Sequence, residues 1–137
     1  MKTDTLTIKN SRPLVSVICL CYNQAPFVEE ALFSVINQTY QAIELIVVDD
    51  ASSDNSVSVV QEFVQKHHIR LLINEHNIGN CRSFNRALAY ANGKYIIDLA
   101  ADDVLLDTRI EKQVSVFESL DASYGVIFTN AIYINAQ

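Results

Sequence analysis

Two adjacent pairs of aspartates, Asp49-Asp50 and Asp102-Asp103, each stand directly behind or just beyond a short apolar run. Neighbouring carboxylates repel one another, and in a partly dry site they stay ionised only beside a counter-charge. Basic residues are sparse in these loops, with Arg82 and Arg86 the nearest candidates. A hard divalent cation with oxygen ligands, Mg2+ or Mn2+, would satisfy such a site and bring a diphosphate with it. Tyr22-Asn23 closes a third apolar run in the same manner, where an aromatic ring can stack on a nucleobase. Aspartate also caps helices, and Asp54 and Asp107, each just ahead of a helical pattern, read as caps. Asp50 and Asp103, at the ends of apolar strands, read as functional groups. His76, in a loop with no partner visible in sequence, reads as a surface side chain.

The elements that must position these residues follow from periodicity. Leu14 to Leu20, Ile43 to Val48, Ile69 to Ile73, Lys94 to Leu99 and Tyr124 to Thr129 are short and rich in β-branched residues, as buried strands are. Between them lie patterns of helical spacing. Phe27, Val28, Ala31, Leu32, Val35 and Ile36 follow Pro26, and Val57, Val60, Phe63 and Val64 follow the polar cluster 49–54. Residues 80–90 form a third helix, ended by Asn92-Gly93 as a C-cap pair, and Arg109 to Ser119 a fourth. Strands alternating with helices imply parallel pairing with right-handed crossovers. The expected fold is therefore α/β, an open and mostly parallel sheet with helices on both faces. Ligands of such sheets bind beyond the carboxyl ends of the strands, which is where Tyr22, Asn23, Asp49, Asp50, Asp102 and Asp103 fall.

Composition excludes several alternatives. Three glycines (Gly79, Gly93, Gly125) cannot build either glycine-rich phosphate loop, so metal and side chains must hold any phosphate. With 10 basic against 16 acidic residues the net charge is −6, and no basic stripe offers a surface for nucleic acid. The group Lys66, His67, His68 and Arg70 reads as a solvated helix end. Cys19, Cys21 and Cys81 lack the spacing of a zinc or redox motif and read as buried thiols in a reducing compartment. No stretch has the length of a membrane span, and Met1 to Arg12 lack a signal core, so the segment reads as cytoplasmic. Half of the 137 residues are hydrophobic, enough for one domain over 1–137 with a flexible tail at 1–12. The end at Ile134-Asn135-Ala136-Gln137 reads as a cut within a longer protein.

Five blocks in order carry a resemblance to a known family. They are Val15-Ser16-Val17-Ile18 through Tyr22-Asn23, then Ser34 to Tyr40, then Glu44 to Asp54. Asn77-Ile78-Gly79 with Asn85-Arg86-Ala87 follows, and Gly93-Lys94-Tyr95-Ile96 leads to Ala101-Asp102-Asp103. Together they resemble glycosyltransferase family 2 over nearly all of 15–129. The resemblance implies a GT-A fold, a nucleotide-diphosphate sugar donor (a UDP-sugar by preference) and Mg2+ or Mn2+. It implies that Tyr22 and Asp50 contact base and ribose, with Asn23, Asp49 and Asn85 in the same donor site. Asp102 would touch sugar or ribose, and Asp103, with Asp102, would hold the metal. Two departures stand out: Ala100 replaces the leading aspartate of the metal block, and Phe84 replaces an arginine, whose contact Arg82 could supply.

The family also implies inverting transfer to a saccharide or lipid-linked saccharide in cell-surface glycan synthesis, at the inner face of the membrane. Its catalytic base is expected beyond Gln137, so this segment would bind donor without efficient transfer. Two rivals are a non-catalytic nucleotide-binding module and a Mg2+-binding receiver-like domain. The receiver is disfavoured because Tyr22-Asn23 follows the first strand where an acidic pair would be needed.

Overall fold

A computed structural model describes residues 12–134. The expected tail lies outside them except for Arg12, whose guanidinium sits 5.6 Å above the Tyr40 ring. The chain runs β1 (Val15–Cys21), α1 (Val28–Ile36), β2 (Ile43–Asp49), α2 (Ser56–His67), β3 (Arg70–Ile73), α3 (Asn80–Leu88), β4 (Tyr95–Ala100) and α4 (Arg109–Ser119). All strands pair in parallel in the order β3-β2-β1-β4, so the crossover direction reverses between β1 and β4. The loops after β1 and β4 diverge at that point, which opens a crevice at the carboxyl edge.

Burial explains why the strands read as they do. β1 and β2 are central and covered on both faces, so apolar residues run through them with few breaks. Val15, Val17, Cys19, Leu45, Val47, Ile97 and Leu99 meet α1, α2 and α4 in the larger core. Ile18, Ile46, Val48 and Ala87 form a smaller core beneath α3, joined by Leu20 and Phe84. β4 is covered on one face only, and its other side chains, Ile96, Asp98 and Ala100, are exposed.

Three expectations are corrected. No strand forms over Tyr124 to Thr129 among the described residues. The alternation there is genuine, but a strand needs a ladder partner. A cleft of about 290 Å3 lined by Ile96, Asp98, Arg109 and Val126 separates this segment from the free edge of β4. Phe128 accordingly stays 90% exposed. Gly93 is not a C-cap, because α3 ends at Leu88 with Ala89 behind it. Its Cβ would stand 2.5 Å from the backbone nitrogen of Ser16, so glycine is required by close approach to β1. The buried-thiol reading holds for Cys19 and Cys21 but fails for Cys81, which is exposed on α3. Burial, reinforced by the charge of neighbouring acidic groups, pushes the Cys19 thiol far up and keeps it inert. No helix among the described residues is long and apolar enough to cross a membrane.

Candidate functional site

At the carboxyl edge the first two loops are sewn together. Asn23 adopts a left-handed conformation (φ 54°) that turns its side chain toward the loop after β2. Its Oδ1 accepts from the backbone N–H of Ser53 (2.8 Å) and Asp54 (3.3 Å), while its own N–H donates to Ser52 Oγ at 2.9 Å. Asp49 is fully buried and closes the turn from the other side, accepting from Ser52 N–H (2.8 Å) and Ser52 Oγ (2.6 Å). Asp54 stands one residue ahead of Asn55, which holds the cap position of α2, and accepts from Ser56 N–H at 2.9 Å and from Ala25 N–H at 3.1 Å.

Asp50 ties in the third loop. Its Oδ1 accepts from Asn74 Nδ2 (2.7 Å) and Ile78 N–H (2.9 Å), and its Oδ2 from Gly79 N–H (2.8 Å). Gly79 has φ 84°, a conformation that directs this N–H at the carboxylate and starts α3. Burial pushes the Asp50 carboxyl up, but the donated hydrogen bonds from Ile78, Asn74, Gly79 and Ser83 outweigh it and hold the group below the usual range. A carboxylate has about four lone-pair sites, and these four donors take them up, so Asp50 acts as a tie between loops.

The loop after β4 is fixed by a different device. Asp103 N–H donates to Ala100 O (3.0 Å), and Ala101 N–H to Leu20 O (3.0 Å), a turn that leaves Asp102 and Asp103 exposed on the rim. Gln24 Nε2 reaches across from the first loop to Asp102 Oδ2 at 3.3 Å. Arg109, at the start of α4, is the cation whose field reaches Asp103: burial lowers its pKa and the Asp103 charge raises it. Between α3 and β4 these parts enclose a crevice of about 770 Å3. Tyr22, Asn85, Asp102 and Asp103 line it, together with Gln24 and Asp98.

Four of the eight expected site residues thus share one crevice. Asn23, Asp49 and Asp50 stand just outside it as the ties that shape its loops, and Arg82 is exposed on α3 without lining it. Sequence reasoning passed over Gln24, Asn74, Ser83, Asp98 and Arg109. Asn74 is the least visible of them, a buried amide that donates to Asp50 and to Ser83 Oγ (2.9 Å) and accepts from Arg86. Its only signal in the sequence is its place at a strand end.

Among the described residues no three His, Cys, Asp or Glu side chains gather to enclose a metal ion. The adjacent exposed pair Asp102 and Asp103 fits a cation that takes the rest of its ligands from phosphate oxygens and water. A parallel sheet with a carboxylate-rimmed crevice at its switch point defines an α/β domain of the GT-A kind, with the crevice where such sheets take their ligands.

The chain matches the Glycosyl transferase family 2 model over residues 16–134, and it belongs to that family. It is 38% identical over 110 residues to an uncharacterized glycosyltransferase of Haemophilus influenzae, covering 80% of this chain and 34% of the relative. It is 38% identical over 124 residues to the Escherichia coli UDP-Glc:alpha-D-GlcNAc-diphosphoundecaprenol beta-1,3-glucosyltransferase WfgD, covering 87% and 49%. A mannosyltransferase from Pyrobaculum calidifontis, solved with GDP-Man and Mn2+, superposes with a TM-score of 0.74 at 30% identity, over 85% of this chain and 35% of that one. The chain therefore spans about a third to a half of the length of these relatives.

Proposed function

We propose that residues 12–134 form the donor-binding portion of an inverting glycosyltransferase that uses a nucleotide-diphosphate sugar. The observation that carries this reading is the convergence of Tyr22, Asn85, Asp102 and Asp103 on one crevice at the sheet's switch point. Tyr22 stacks on the base, a uracil by preference, and Asp50 acts from behind by holding the loop at 74–79 in place. Asp102, kept in place by Gln24, hydrogen-bonds the ribose or sugar, while Asp103 and Asp102 hold Mg2+ or Mn2+. Bound there, the cation supplies charge neutralisation for the departing diphosphate. Asn85 lines the wall, and Arg82 stands about one helical turn from it on α3.

The transfer goes to a hydroxyl of a saccharide or lipid-linked saccharide, in synthesis of a cell-surface glycan at the cytoplasmic face of the membrane. The E. coli relative, named for a diphosphoundecaprenol-linked acceptor, supports this setting, and the P. calidifontis complex with GDP-Man and Mn2+ supports a nucleotide-sugar donor with a divalent metal. The proton of that hydroxyl needs a general base. We place that base outside residues 1–137, so that this chain alone binds donor without efficient transfer.

Calorimetric titration with UDP and GDP, each with Mn2+ and with EDTA, tests the reading. UDP is expected to bind in Mn2+, to lose at least tenfold in EDTA, and to lose as much in Asp103→Ala, about 1.4 kcal/mol or more. Metal-independent binding that Asp103→Ala leaves unchanged would remove the assignment.

A further inference from the structure

Asp98 is the wrong residue type for its place. Strands are depleted in aspartate, yet it stands inside β4 between Ile97 and Leu99. Alternation turns Tyr95, Ile97 and Leu99 into the larger core and sends Ile96, Asp98 and Ala100 to the α3 side. There Asp98 pairs in register with Ile18, and Ala100 with Leu20, both apolar floor residues of the smaller core. Its side chain is exposed on that face, and partial desolvation by the apolar surroundings pushes the carboxyl up. An aspartate within a strand, exposed on the crevice side and without a hydrogen-bond partner among the described residues, is open to a ligand.

Its location says which function. Asp98 lines the crevice that Tyr22, Asn85, Asp102 and Asp103 share. It lies two residues below Ala100 on the same face, about 7 Å deeper along the strand. The methyl group of Ala100 leaves the floor between Asp98 and the rim clear, so a polar group bound below the rim meets the Asp98 carboxylate. The matching chemistry is a donor of two parallel hydrogen bonds, which vicinal hydroxyls of a pyranose provide.

We propose that Asp98 is a sugar-recognition residue of the donor site, accepting hydrogen bonds from vicinal hydroxyls of the donor's hexose on a floor that Ala100 leaves open. This rests on the donor-site reading above. It also relocates to position 98 the carboxylate that position 100 lacks. One other role for a charge on an edge strand is to block edge-to-edge pairing between molecules.

The test compares UDP with UDP-glucose, UDP-galactose and UDP-N-acetylglucosamine by calorimetry in Mn2+, on the unaltered chain and on Asp98→Ala, Asp98→Asn and Ala100→Leu. Circular dichroism confirms that each variant is folded. At least one UDP-hexose is expected to bind about tenfold more tightly than UDP to the unaltered chain. That advantage should vanish in Asp98→Ala and Asp98→Asn, and in Ala100→Leu, which covers the floor without touching the carboxylate. UDP itself should bind all four proteins alike. A hexose advantage that survives in Asp98→Ala, or no advantage in the unaltered chain while UDP binds, overturns the role of Asp98 and leaves the donor site standing. Variants that only aggregate more, with unchanged nucleotide selectivity, would assign Asp98 to edge protection instead. Absence of UDP binding by the unaltered chain would remove the donor site itself, and the role of Asp98 with it.

Discussion

Burial pushes the Asp50 carboxyl up, but the donors that converge on it hold it below the usual carboxylate range. Its pKa is lower in the folded chain than in the unfolded one. The folded state therefore gains from the ionised form above the unfolded carboxylate pKa of about 3.9, and that gain is lost as pH falls through the folded value. Asp50→Asn turns an amide toward N–H groups that need an acceptor. It should cost about 3 kcal/mol at pH 7 by urea denaturation, and the gap to the unaltered chain should narrow below pH 4. A gap independent of pH would show that the hydrogen bonds do not depend on the charge. At this scale the sequence was partly legible. Strand-end position revealed Tyr22, Asp102 and Asp103, since any polar group just beyond a buried parallel strand reaches the ligand edge. It could not separate the residues that face the crevice from those that brace it. Asp49, Asp50 and Asn23 have the same residue types and the same placement, and only the positions of Ser52, Ser53, Asn74 and Ile78 decide the difference.

Gln38 does for the elements what Asp50 does for the loops. It is 1% exposed at the end of α1, donates to Ser34 O (3.0 Å) and Leu106 O (2.8 Å), and accepts from Ile110 N–H (3.1 Å). Ser34 Oγ accepts from Leu105 N–H at 3.0 Å beside it. The segment between Asp103 and α4 is thereby fastened to α1, which sets where the aspartate turn emerges. Gln38→Leu would leave Ile110 N–H without its acceptor, while Leu106 O keeps Arg109 N–H, and should cost about 2 kcal/mol, read as a drop in denaturation midpoint with unchanged slope. A loss under about 0.5 kcal/mol would mean that water replaces the amide. Each helix and the first four strands were legible to within a residue or two, because buried apolar periodicity dictates them. The role of Gln38 was not, since one polar residue after a helix reads as a turn until its partners, about 70 positions away, are known.

At the scale of the whole chain, the sheet is finished on one side and open on the other. α3 covers β1 and β2, whereas one face and the outer edge of β4 remain free, and Val126, Phe128, Ile132 and Tyr133 are exposed nearby. The expected strand at 124–129 failed for this reason. Alternation describes a side-chain pattern, while a strand depends on a neighbour that the pattern cannot supply. The crevice itself is complete enough to test, being built by the loops after β1 and β4 and the first turns of α3. The most direct measurement is an amide NMR titration with UDP in the presence of trace paramagnetic Mn2+. Resonances of Tyr22, Gln24, Asn85 and Ala101 to Asp103 should shift with UDP and broaden with Mn2+, while those of His68, Asn92 and Gly93 at the opposite end of the sheet stay sharp. Broadening centred away from Asp102 and Asp103, or shifts confined to the opposite end, would contradict a donor site at this edge.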